Sequence, residues 1–154
     1  MKIYLLFLTL ITLSCSAQKN NYDLILRELD ENYQLKIDKG EFMLETERDY
    51  ALKMDSLMKV VFNNLIELKT DNRENLEIEQ NEWDLQNKIN IKNIWEPLNE
   101  VMDELVFIPN DEKMFAYNEQ ALFTLKRDLD LIYKFNNYKT KQKTQYNLCL
   151  HLNT

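Results

Sequence analysis

The sequence predicts an all-α fold, an antiparallel bundle of about four long helices, and three observations predict it. One glycine and two prolines in 154 residues cannot supply the many tight turns of a hairpin-rich sheet. Apolar residues recur at three- and four-residue steps over long stretches, so each stretch coils into a rod with one greasy stripe. Between the stretches stand the few residues that end or begin helices: Gly40, the Thr70-Asp71-Asn72 turn, and Pro109-Asn110.

The chain opens with Lys2, an apolar run from Ile3 to Leu13, and the small residues Ser14-Cys15-Ser16-Ala17. That is the pattern of a signal peptide over residues 1–17, and the run is too short to anchor stably across a bilayer. Two processing outcomes stay open. Leu13-Ser14-Cys15 resembles a bacterial lipoprotein box, in which Cys15 takes the lipid and becomes the mature N-terminus, with Thr12 where that box prefers Leu. Alternatively, cleavage follows Ala17 and the mature chain begins at Gln18. Both predict an exported protein, periplasmic or anchored to the outer membrane.

Residues 18–138 form the bundle. After a polar tether, Lys19 to Asn21, the residues Tyr22, Ile25, Leu26, Leu29, Tyr33 and Ile37 keep helical spacing as far as Gly40, which is placed to cap the helix in a left-handed conformation. A second helix runs from about Glu41 to Lys69, with Tyr50, Met54, Leu57, Met58, Val61, Phe62, Leu65 and Leu68 on its stripe. Asp71, with Glu74 three residues on, caps a third helix on which Leu76, Gln80 and Trp83 stand one above another. Pro97 disfavours helical geometry at Glu96, which predicts a break near Trp95 and a short helix restarting over Pro97–Leu105. Val106-Phe107-Ile108-Pro109 reads as a connector. Asn110 then caps the last long helix, with Asp111 and Glu112 at its positive end and a seam of Phe115, Ala121, Leu122, Leu125, Leu129, Ile132 and Phe135. Beyond it Leu148, Leu150 and Leu152 alternate at two-residue spacing, which predicts a loosely packed polar tail over 139–154.

Composition excludes several function classes. The formal charge of -7 becomes -8 once Lys2 leaves with the leader, which disfavours nucleic acid and anionic membrane surfaces and favours a cationic partner. Membrane association is expected only through a lipid on Cys15. With His151 the single histidine, a nucleophile, base and orienting acid are hard to assemble, a zinc site fails on ligand count, and one glycine cannot build a phosphate-cradling loop. The carboxylate pairs Glu45 with Asp49 and Glu79 with Glu82 read as a solvated face, and Cys149 as a small apolar residue. No enzyme activity, metal or cofactor is expected.

The spacing Asp55-x-x-Met58-x-x-x-Phe62-x-x-Leu65, followed by Leu76-x-x-x-Gln80-x-x-Trp83, resembles the signature of the lysozyme inhibitor LprI-like family of small secreted bacterial proteins. Met58, Lys59 and Phe62 replace the Leu, Asn and Tyr of that signature, Asn87 stands where the family tends to have Arg, and the family's paired cysteines are missing. The resemblance implies an exported binding protein that protects the cell wall by occupying a muramidase, with a cationic lysozyme as partner. The alternative is a structural or assembly lipoprotein docking on another envelope protein. The signature residues read as structural: Trp83 against the Phe62 and Leu65 turn, Gln80 bonding a backbone group. Partner contacts are expected instead on the Glu96–Glu112 connector, through Asp103, Glu104, Asp111 and Glu112, and at Trp95 beside the helix break, which either anchors a partner or plugs one end of the bundle.

Overall fold

Four helices and no strand make up the described residues. They are α1 (Tyr22–Lys39), α2 (Met43–Glu67), α3 (Arg73–Leu105) and α4 (Asn110–Leu152). A computed structural model describes residues 21–68, 72–105 and 107–152, with the side chains of 101, 103–105 and 145–152 left undescribed. The leader with Cys15, the Asp71 cap, and the side chains of Asp103, Glu104, Cys149 and His151 lie outside the described residues.

The first helix obeys its end signals. The Asn21 side chain accepts from the Leu24 amide at 3.3 Å, Asp23 stands in the first turn, and Lys36 and Lys39 in the last, each matching the helix dipole. Gly40 adopts φ 66° and its amide donates to the Ile37 carbonyl. Phe42 then starts α2 from a left-handed conformation, φ 52° and ψ 40°, with no side-chain cap and 76% of its surface exposed. An aromatic residue there carries strain that no contact offsets. Phe42→Gly is therefore expected to stabilise the fold by about 0.5–1 kcal/mol, measured as a raised urea midpoint at unchanged m-value.

Three expectations change. α3 runs unbroken through Pro97 over 33 residues, about 50 Å, so there is neither a break at Trp95 nor a separate helix after it. Proline removes the bond to the Asn93 carbonyl, and both residues are on the exposed side, where water replaces it. Asn110 is the first residue of α4 and not its cap, since the first bond runs from the Lys113 amide to the Pro109 carbonyl. The segment expected as an irregular tail is helical to Leu152. Extending an existing helix costs far less than nucleating one, and Lys and Gln extend it well. Thr140 and Thr144 donate to the carbonyls four residues back, at 2.9 and 3.0 Å, and Gln142 donates to the Leu68 carbonyl at the end of α2.

Side-chain pairs set the topology. Tyr33 with Glu47, Tyr50 with Asp30, and Asn64 with Tyr22 run α1 and α2 antiparallel. Glu79 with Lys134, Gln80 with Arg127, and Trp95 with Tyr117 do the same for α3 and α4. Asn118 with Glu47 and Gln142 with Leu68 make α2 and α4 parallel. The most extensive packing is between α2 and α4, with α1 laid on α2 and α3 on α4. The core lies along that middle seam: Met54, Val61 and Leu65 from α2 and Ala121, Leu131, Ile132 and Phe135 from α4 are almost wholly buried, with Tyr22 closing one end edge-on to Phe135.

The buried line of α4 is the expected one only in part, through Ala121, Ile132 and Phe135. Ala121, Thr124, Asp128, Leu131 and Phe135, spaced three and four apart, face inward. Phe115, Leu122 and Leu129 are exposed, at 68%, 49% and 52%. The heptad-spaced apolar residues thus sit on an outer face, while two polar residues share the core line.

Candidate functional site

The α3–α4 seam holds the densest polar arrangement. Gln80, near the start of α3, is buried, and its carbonyl oxygen accepts from Arg127 Nε at 3.1 Å and Nη2 at 3.0 Å. Its amide donates to Asp84 at 3.0 Å and lies 3.3 Å from the Met58 sulfur of α2. Gln80 therefore bonds side chains of neighbouring helices, not the backbone group expected at the hairpin. Arg127 is only 8% exposed, and its other end reaches Asp130 at 2.8 Å and Glu79 at 3.7 Å. Lys134 closes the group by donating to Glu79 and Asp130. Burial alone would lower the Lys134 pKa, but these two carboxylates outweigh it and the net shift is upward.

Next to this group Trp83 stacks on Phe123, ring centroids 5.8 Å apart and 26° between planes. Trp83 also packs against the edge of the core, as do Phe62 and Leu68. An open groove runs over the stack, lined by Glu79, Glu82, Trp83, Gln86, Phe123 and Arg127. Trp83 and Phe123 give it an aromatic surface, beside the carboxylates of Glu79 and Glu82 and the Arg127 guanidinium. No group of three or more His, Cys, Asp or Glu side chains that could hold a metal occurs among the described residues.

The signature residues are brought together. Met58, Leu65 and Leu76 are buried in one cluster, Phe62 and Trp83 lie against it, Gln80 touches Met58, and Asp55 pairs with Lys59 one turn on at the surface. Of the expected partner-binding residues, Trp95, Asp111 and Glu112 have described side chains. Trp95 is half-buried, edge-on to Tyr117 at 5.0 Å, and so belongs to the α3–α4 packing and not to an exposed break. Asp111 and Glu112 are exposed in the first turn of α4. Of the Glu96–Glu112 connector only 107–109 are non-helical within the described residues.

One polar cluster and one buried acid went unread in the sequence. Tyr33 donates to Glu47 at 2.8 Å, Asn118 donates to both at 3.2 and 3.4 Å, and Tyr33 stacks on Tyr50 with centroids 4.2 Å apart. Burial and the Glu47 carboxylate push the Tyr33 hydroxyl up to about 12, and burial with Asp30 raises that of Tyr50. Asp128 is the other case. It is 0% exposed, neither carboxylate oxygen has a hydrogen-bond partner, and burial with the nearby Asp55 charge pushes its pKa up to about 8. It is therefore protonated at neutral pH. Its place on the three-four repeat that also holds Ala121, Leu131 and Phe135 is the signal that could have found it.

No protein-family model matches the chain, and no solved structure matches it. Protein PFC0760c of Plasmodium falciparum (isolate 3D7) is 30% identical over an alignment of 135 residues that covers 79% of this chain. The chain spans 4% of that relative's length. A likeness over so small a share carries no activity to this chain. No helix among the described residues is long and apolar enough to cross a membrane.

Proposed function

We propose that the protein is an exported, non-catalytic binding protein that occupies a cationic muramidase, as the LprI-like resemblance implies. The observation that carries this reading is the α3–α4 groove, an aromatic surface of Trp83 and Phe123 beside the carboxylates of Glu79 and Glu82. Aromatic anchors beside carboxylates suit a protein partner of opposite sign. The net charge of -7 steers such a partner inward, raising the encounter rate more than the final affinity.

The test is a titration of hen egg-white lysozyme activity with the purified protein, at low and at raised salt. Saturable inhibition is expected, with slower onset at raised salt as screening shortens the reach of the charges. Glu82→Lys, at an exposed residue, is expected to weaken inhibition on the order of tenfold with thermal unfolding unchanged. Full lysozyme activity at excess protein would overturn the muramidase reading.

A structural or assembly role in the cell envelope is favoured by one specific observation, the length of α4. Its 43 residues run about 65 Å, past the end of α2, which Gln142 meets at Leu68. That reading expects a stable partner in crosslinked envelope extracts and indifference to lysozyme.

A further inference from the structure

The outer face of α4 carries an apolar stripe with no partner among the described residues. Phe115, Leu122 and Leu129 recur at seven-residue intervals, and Tyr133 follows four residues on, each exposed by 49–68%. On a helix of 3.6 residues per turn these four project within a narrow sector, well away from the Ala121-Asp128-Phe135 line that faces α2. The stripe is about 27 Å long. Exposed apolar residues scattered singly need no explanation, but four in one file on a chain of high net charge do.

The residues beside the stripe say what fits it. Leu122 is its centre, with Phe115 seven residues before and Leu129 seven after. Glu119 and Lys126 flank Leu122 on one side, three residues before it and four after. Both are exposed, and neither takes part in an ion pair among the described residues. A two-fold axis near Leu122 sets α4 against an antiparallel copy of itself. Leu122 then meets its own counterpart, each Phe115 meets a Leu129, and each Glu119 meets a Lys126. At either end Tyr133 comes level with Asp111, an exposed carboxylate able to accept from its hydroxyl. Every feature of the stripe has its complement on the same stripe reversed, which is the requirement of an isologous interface.

We propose that a second copy of this chain docks on the Phe115–Tyr133 face of α4, forming an antiparallel two-fold dimer centred on Leu122. Eight apolar side chains along about 27 Å of helix fall short of the roughly 1,200 Å² that specific, stable interfaces bury. The dimer is therefore weak and forms in proportion to concentration. It uses the side of α4 away from α2 and is independent of the muramidase reading.

Sedimentation equilibrium of the purified, processed protein, taken over a range reaching millimolar, tests this. A monomer–dimer equilibrium is expected. Leu122→Glu is expected to abolish it, and Lys126→Glu or Glu119→Lys alone to weaken it on the order of tenfold, since each places like charges together twice. The double variant Glu119→Lys with Lys126→Glu is expected to restore it. The side chains of Glu119, Leu122 and Lys126 are all at the surface, and unchanged thermal unfolding of each variant confirms the fold is kept. A monomer at every concentration, a dimer indifferent to Leu122→Glu, or a double variant as weak as the singles would each overturn the proposal.

Discussion

Unfolding free energy should fall as pH rises from about 4 to about 8, the reverse of ordinary acid denaturation, because of Asp128. Its folded pKa is about 8, against about 3.9 in an unfolded chain. Between those values the folded state holds a proton that the unfolded state has released, so raising pH favours unfolding. The contribution is fully present below the unfolded value and is lost as pH climbs through the folded one. The slope from this one group reaches at most about 1.4 kcal/mol per pH unit. The physical reason is burial: no hydrogen-bond donor reaches either oxygen, and Asp55 adds repulsion where a cation would have helped. Asp128→Asn keeps the size of the protonated acid without its charge, so it should match the parent below about pH 4, where both states hold the proton, and exceed it by a margin that grows up to about pH 8. Urea unfolding at a series of pH values reads both effects. Asp55→Asn removes the repulsion and should narrow the window from its upper end.

Arg127→Ala should cost about 2–4 kcal/mol, read as the shift in urea midpoint. The side chain is 8% exposed and gives two donors to the Gln80 carbonyl oxygen. Its removal strands that oxygen inside the seam and leaves a cavity where its stem lay. The pairs with Asp130 and Glu79 add less, because those carboxylates are 41% and 44% exposed and water screens them. Arg127→Met retains the stem and should recover about 1 kcal/mol of the loss, which separates packing from hydrogen bonding.

Much of the architecture was legible because helix signals are local. Asn21 and Gly40 mark the ends of α1, and the Tyr50–Leu65 stripe marks the buried face of α2. What was misread depends on which face of a helix meets a neighbour, and that is not local. On α4 the heptad of Phe115, Leu122 and Leu129 looked like the seam, whereas the buried line a few residues over contains Thr124 and Asp128. Pro97 looked like a stop, yet a helix with solvent on that side tolerates the missing bond. The site was harder still. Gln80 and Trp83 were visible from their spacing, but their partners Arg127 and Phe123 lie 47 and 40 residues away, on a helix whose rotation the sequence does not display. A lone arginine beside an apolar stripe reads as surface until the facing helix supplies its acceptor.

If the signature residues hold α3 to α4, Gln80 and Arg127 must be energetically coupled, and a double-mutant cycle of Gln80→Ala with Arg127→Ala measures that coupling directly. The clamp predicts about 1–3 kcal/mol of non-additivity in unfolding free energy. Single effects that simply add, with coupling within error of zero, would contradict it.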